Sequence, residues 1–119
     1  MNDSHLVLGK KGEQLAEVFL QKKGYEILGR NVRIGGRRKF IEVDLIAKQG
    51  DDIVFVEVKT RARNDGFNPS QRIDRAKIER LQGAAEMWLA EQEEEYGARL
   101  DIIGVCEGKV VEHFEDVGT

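Results

Sequence analysis

A chain of 119 residues, 40% apolar and 34% charged with a single proline, fits one globular domain able to bury a core of its own. Its one cysteine, Cys106, excludes an intrachain disulfide and a cysteine metal cluster. No run approaches the ~20 apolar residues of a membrane span, and the first residues show no signal-peptide pattern, so a cytoplasmic protein with no membrane partner is expected. The net charge of −3 hides an asymmetry. Residues 91–119 hold nine acids and two bases, a net of −7, whereas residues 1–90 hold thirteen acids and seventeen bases, a net of +4. A basic body with an acidic end suits a polyanionic partner, although a solvated surface would have the same totals.

In chain order, Ser4 reads as the cap of a helix running to about Lys23. Leu8, Leu15, Val18 and Phe19 recur at helical spacing, and Gly24 follows as a stop. "YEILGRNVRI" reads as a strand broken at Gly29, and "IGGRRK" as a basic turn. "FIEVDLIA" is the next strand, expected to place Ile41, Val43 and Leu45 on one face and Glu42, Asp44 and Ile46 on the other. Gly50-Asp51 is the expected tip of a hairpin into "IVFVEVKTR", and "ARNDGFNP" a loop. A second long helix is expected from Ser70 to about Glu95, with Ile78, Leu81, Ala85, Trp88 and Leu89 as its apolar stripe. "RLDIIGVC" and "KVVEHF" flank a Glu107-Gly108 turn as two further strands. The order αβββαββ is that of an α/β domain, a mixed sheet with helices packed on it, whose core spans about 5–106. Trp88, Phe19 and Cys106 read as core residues, and His5 and His113 carry no metal role.

The chemistry concentrates in one hairpin. A two-residue turn at Gly50 and Asp51 makes Asp44 face Glu57 and Glu42 face Lys59, all four on one face. Two opposed carboxylates repel, so one should have a raised pKa unless a cation neutralises the pair. Mg²⁺, or Mn²⁺ in its place, suits such a site, because it takes one or two carboxylates and fills its remaining positions with water and phosphate oxygens. Lys59 beside the acids can orient a water or stabilise developing negative charge. Asp44, Glu57 and Lys59 thus form a candidate phosphodiester-hydrolysing constellation, with the Val58 carbonyl as a further metal ligand. An exposed hairpin face with the same residues would also be tolerated, since solvated ion pairs are worth only ~0–1 kcal/mol. Arg33, Arg37, Arg38, Lys39 and Arg61 are candidate phosphate contacts, and Lys77, on the buried side of the second helix, points toward the sheet.

The blocks "GKKGEQLAEVFLQKKGYEILGRNVR", "IEVDLIA", "VFVEVKTR" and "KIERLQGAAEMWL" closely resemble the YraN-like family of uncharacterised bacterial proteins, from about Gly9 to Val105. That family is similar to the restriction-endonuclease-like superfamily, nearest to Holliday-junction resolvases. The resemblance implies a mixed sheet flanked by helices and metal-dependent cleavage of nucleic acid. Residue by residue, it carries a first-helix glutamate onto Glu13, a strand aspartate onto Asp44, and a Glu-x-Lys pair onto Glu57 and Lys59. It implies that Glu13 serves a second metal, or the first through water. Glu42 also matches, and Arg61 and Lys77 match positions near phosphate. The chain departs from the pattern at Ile41, where glycine is common, at Val43, where the superfamily often has proline, and in its longer basic insert Gly36-Arg37-Arg38-Lys39. Two functions follow. One is a metal-dependent nuclease acting on DNA, branched or damaged, as a homodimer if it works like the resolvases. The other is a non-catalytic module binding nucleic acid or protein.

Overall fold

A computed structural model describes residues 4–61 and 75–118, with side chains from Lys10 to Thr60 and from Arg75 to Gly118. Within them the chain folds as α1 (Ser4–Lys22), β1 (Glu26–Gly35), β2 (Phe40–Gln49), β3 (Asp52–Arg61), α2 (Arg75–Ala90), β4 (Gly97–Cys106) and β5 (Lys109–Phe114). The five strands form one sheet in chain order, antiparallel except for the parallel β3–β4 pair. A parallel neighbour cannot be reached by a tight turn, so α2 lies in the crossover. The expected αβββαββ order and α/β class are met. The expected helix start at Ser70, the loop over 62–69 and the Arg61 side chain lie outside the described residues.

The helices cover opposite faces. Ala16 and Leu20 of α1 pack with Leu45, Ala47, Val54, Val56, Ile103 and Val105. Leu81, Ala84 and Ala85 of α2 pack with Ile46, Ile53, Phe55 and Leu100, and Trp88 sets its ring edge-on to Phe55 at 5.8 Å. β3 and β4 are therefore buried on both sides, which explains their near-continuous apolar runs. Helix α2 ends at Ala90, short of the expected Glu95. The acids from Glu91 onward would sit at the negative end of the helix dipole, and Gln92 instead caps the turn through its side-chain amide on the Trp88 carbonyl at 3.1 Å.

The acidic C-terminal end is not a loose tail. Glu115 pairs with Arg99 at 3.3 Å, the Val117 N–H reaches the Leu100 carbonyl at 2.8 Å, and Val117 packs into the α2-side core.

The Gly50-Asp51 hairpin forms in the expected register, from Gln49↔Asp52 to Leu45↔Val56. One expectation fails just beyond it. Leu45 and Ala47 face α1, but Ile41 and Val43 face α2, so they do not share one face of β2. The same reversal occurs across the pair in β1. Arg30 reaches Glu17 of α1, whereas Val32 packs on the α2 side, and Asn31 between them has φ +50°. Asparagine tolerates this left-handed conformation better than most residues, and the resulting kink turns both strands over at Asn31 and Asp44.

Candidate active site

The site forms where that kink parts β2 from β3. Beyond Leu45↔Val56 the ladder gives way, and the Asp44 carboxylate accepts the Val58 N–H at 2.8 Å. A side chain has replaced a strand carbonyl as the acceptor, which fixes one oxygen of Asp44 and leaves its carboxylate beside Glu57. On β3, Phe55 faces α2, so Glu57 and Lys59 do too. The Lys59 ammonium lies 3.3 Å from Glu57. Lys77 of α2 comes closer still, donating to Glu57 at 2.7 Å.

Glu13 approaches from the α1 side, and the Asn31 side chain hydrogen-bonds it. The glycine before it sets that approach. A Cβ on Gly12 would lie 3.2 Å from Thr60 Cβ and 3.3 Å from its Cγ2, with the hydroxyl nearer still. Rotating the threonine cannot clear all three atoms. Gly12→Ala should therefore destabilise the protein by about 1 kcal/mol despite alanine's better helix propensity, because overpacking costs ~1–3 kcal/mol and the propensity gain is ~1. A melting temperature equal to or above that of the parent protein would show that α1 does not need the close approach.

The acids interact electrostatically. Burial pushes Asp44 up to about 7, reinforced by the charge of Glu57 and opposed by the Val58 N–H. Glu13 is also raised, by burial first, against the Asn31 hydrogen bond, with the charges of Glu42 and Glu57 adding to the rise. Three carboxylates from three elements thus share one field. They do not close into a cage: among the described residues, no three acidic, histidine or cysteine side chains are placed to hold an ion by themselves. The donor set still suits a hard cation held by one or two carboxylates and completed by water or phosphate.

The structure separates Glu42 from Lys59, which were expected to face each other. The reversal at Asp44 turns Glu42 to the other side of the hairpin, where it lies 3.8 Å from Arg33. Glu42 reaches the site through its charge on Glu13. Arg33, Arg37, Arg38 and Lys39 are exposed along the far end of the β1–β2 hairpin. Sequence reasoning misses Asn31. Its only signal there is an asparagine inside a strand pattern that already contains a glycine break.

The model of the uncharacterised protein family UPF0102 matches residues 12–105, a span that includes every candidate acid. The chain belongs to family UPF0102. A UPF0102 protein from Kosmotoga olearia is 41% identical over 119 residues, covering 99% of this chain and 98% of that protein. Relatives from Christiangramia forsetii and Thermotoga maritima are 38% and 39% identical, covering 94% and 91% of this chain and 93% and 94% of theirs. The expected uncharacterised bacterial family is thus met. No helix among the described residues is long and apolar enough to cross a membrane.

Proposed function

We propose that this UPF0102 chain is a metal-dependent nuclease that hydrolyses phosphodiester bonds in DNA, on a fold of the restriction-endonuclease-like kind. The observation that carries this reading is the pairing of Asp44, seated on the Val58 N–H, with Glu57 and Lys59 on the adjoining strand. A bound Mg²⁺ or Mn²⁺ would polarise a phosphoryl oxygen and lower the pKa of a water. Asp44 and Glu57 would hold it, aided by the Val58 carbonyl, with Glu13 reached through water. Lys59 and Lys77 orient Glu57, and Lys59 would meet negative charge as it develops on the phosphate. Asn31 positions Glu13.

Purified protein with Mg²⁺ or Mn²⁺ should cut at least one of linear, flapped or four-way DNA. Lys59→Ala should reduce the rate by about 10²–10³-fold, the cost typical of losing one electrostatic stabiliser, without lowering the melting temperature by more than a few degrees. Failure to cut any of the three with either ion would overturn the reading.

One observation favours a second reading, a nuclease-like module that binds without cutting. Glu57 already has two ammonium partners, at 2.7 and 3.3 Å, and so is neutralised without a cation. In a pure binder, substituting Asp44 and Glu57 would keep or tighten DNA affinity, since negative charge is removed. In the nuclease, the same substitutions would abolish turnover.

A further inference from the structure

The sheet face that carries Glu57 and Lys59 continues beyond β3. Lys59 stands level with Gly104 of β4, and Gly104 stands level with Glu112 of β5. His113, next along β5, turns to the α1 side, where its ring meets that of Phe19 edge-on at 5.8 Å. Glu112 therefore turns to the α2 side, with Lys59. Two strand spacings set the Cα atoms of Lys59 and Glu112 about 10 Å apart, within the combined reach of a lysine and a glutamate side chain. Gly104, between them, has no side chain of its own. One oxygen of Glu112, Oε2, is buried and has no hydrogen-bond partner among the described residues. Such oxygens are rare in folded proteins, because a buried acceptor without a donor costs free energy. The acid site has the opposite imbalance. Two ammonium groups, of Lys59 and Lys77, approach the same oxygen of Glu57, at 3.3 and 2.7 Å.

We propose that Glu112 receives the Lys59 ammonium when a divalent cation binds at Glu57. A cation on that carboxylate repels both ammonium groups. Lys77 holds Glu57 by the shorter contact, a hydrogen bond, so Lys59 yields first. Swinging across Gly104 takes it to an acceptor that lacks a donor. An ammonium has three hydrogens to donate, so one given to Glu112 leaves two for a phosphate oxygen or a water. Glu112 is thus a positioning residue. It acts through Lys59 and touches neither the cation nor the phosphate. The hand-over also explains how a carboxylate already neutralised by two ammonium groups can still take an ion. It rests on the nuclease reading and deepens it by naming how that site is regulated: the cation itself turns Lys59 from a counter-charge of Glu57 into a donor for substrate.

The test is calorimetric titration of Mn²⁺ into the parent protein, Glu112→Gln, Lys59→Ala and the double variant, without nucleic acid and in about 0.15 M salt to screen distant charges. Glu112→Gln should weaken Mn²⁺ binding about tenfold, the worth of one hydrogen bond to a charged group. In the Lys59→Ala background the same substitution should change affinity less than about threefold, because the group that Glu112 receives is gone. Equal losses in the two backgrounds would mean that Glu112 attracts the ion by its charge alone, and would overturn the proposal. Unchanged affinity in Glu112→Gln would overturn it too and leave the Oε2 oxygen to a bound water. In EDTA, Glu112→Gln should unfold at no lower urea concentration than the parent, since the oxygen accepts nothing there. A lower midpoint would show that it is already partnered and would also overturn the proposal. Failure of the parent to bind Mn²⁺ at all would remove the nuclease reading together with the hand-over, whereas each of the other adverse results removes the hand-over alone.

Discussion

Asp44→Asn is expected to raise the stability of the cation-free protein by a few kcal/mol above pH 7 and to abolish metal-dependent cleavage. The first effect follows from the proton. Burial and the Glu57 charge raise Asp44 from its ordinary 3.8 to about 7 in the folded state. The native protein then binds this proton more tightly than the unfolded chain does. Between those two values the native state holds more protons, so the contribution of Asp44 to stability falls as pH rises and levels off above about 7. Each tenfold gain in proton affinity corresponds to ~1.4 kcal/mol, so the loss is on the order of 4 kcal/mol. Asparagine cannot ionise, and its carbonyl oxygen can still accept the Val58 N–H. Urea midpoints in EDTA should thus favour the variant strongly at about pH 8, by less than half as much at about pH 5, and hardly at all once pH falls below 3.8. Comparing the variant with its parent at each pH cancels the titration of every other group. Added Mg²⁺ should raise the melting temperature of the parent at about pH 8 and leave the variant unmoved, by linkage to binding. Equal midpoints at the higher pH would mean that Asp44 is not held in an unfavourable ionised state. The site would then lack the cost of a buried, ionised carboxylate that a bound cation would offset. Such a cost is tolerated where a group is kept for function rather than for the fold.

The parts of this site visible in the sequence are those fixed by local geometry. The alternation of Phe55, Glu57 and Lys59 along one strand needs only the period of two, and the Gly50-Asp51 turn sets the register as far as Leu45↔Val56, the pair next to Asp44 and Glu57. The Gly29 break also appears, as a register shift between Ile27 and Gly29. What could not be read there depends on contacts between distant elements. The reversal at Asn31 and Asp44 separates Val43 from Leu45 and Glu42 from Lys59, because one left-handed asparagine inverts the period for the remainder of both strands. Strict alternation carries no mark of it. The grip of Lys77 on Glu57 depends on how the crossover helix lies over the sheet, which sequence spacing leaves open. The acidic end is equally opaque as a charge total. Its fate hinges on Arg99, a single base that gathers Glu115 and Asp101. A carboxylate inside the apolar run "RLDIIGVC" is itself a clue, since a buried acid requires partners.

That buried acid supports the second large prediction: Asp101→Ala should cost about 3–5 kcal/mol, the range for breaking a buried ion pair from one side. Asp101 lies fully buried in β4, and Arg99 grips it with two hydrogen bonds of 2.9 and 3.0 Å. His113 Nε2 lies at 2.7 Å, and the Asp116 N–H donates at 3.0 Å. The Lys23 ammonium sits 2.8 Å from His113 Nδ1. An ammonium can only donate, so Nδ1 accepts and Nε2 carries the hydrogen that reaches Asp101. Arg99 in turn donates to the Tyr25 hydroxyl at 2.6 Å and the Gln49 side chain at 2.8 Å, joining β4 to the segment after α1 and to the β2–β3 hairpin. Removing the carboxylate leaves a guanidinium that is only 15% exposed without its main counter-charge, and it unties the C-terminal strap at Asp116. In urea titrations the loss should be largest for Asp101→Ala alone. The Asp101→Ala/Arg99→Ala double variant should lose less than the sum of the two single losses, because the second substitution removes the stranded charge. The pH dependence has the opposite sign to that of Asp44. Burial raises the Asp101 pKa, but His113, Arg99 and the Asp116 N–H together outweigh it and hold the carboxyl below its ordinary 3.8. Its stabilisation is complete above that value and disappears as pH falls through the folded-state pKa, so acid unfolding of the parent should be steep where that of Asp101→Ala is shallow. A cost under about 1 kcal/mol, or parallel acid profiles, would reduce this cluster to a set of contacts that the fold does not depend on.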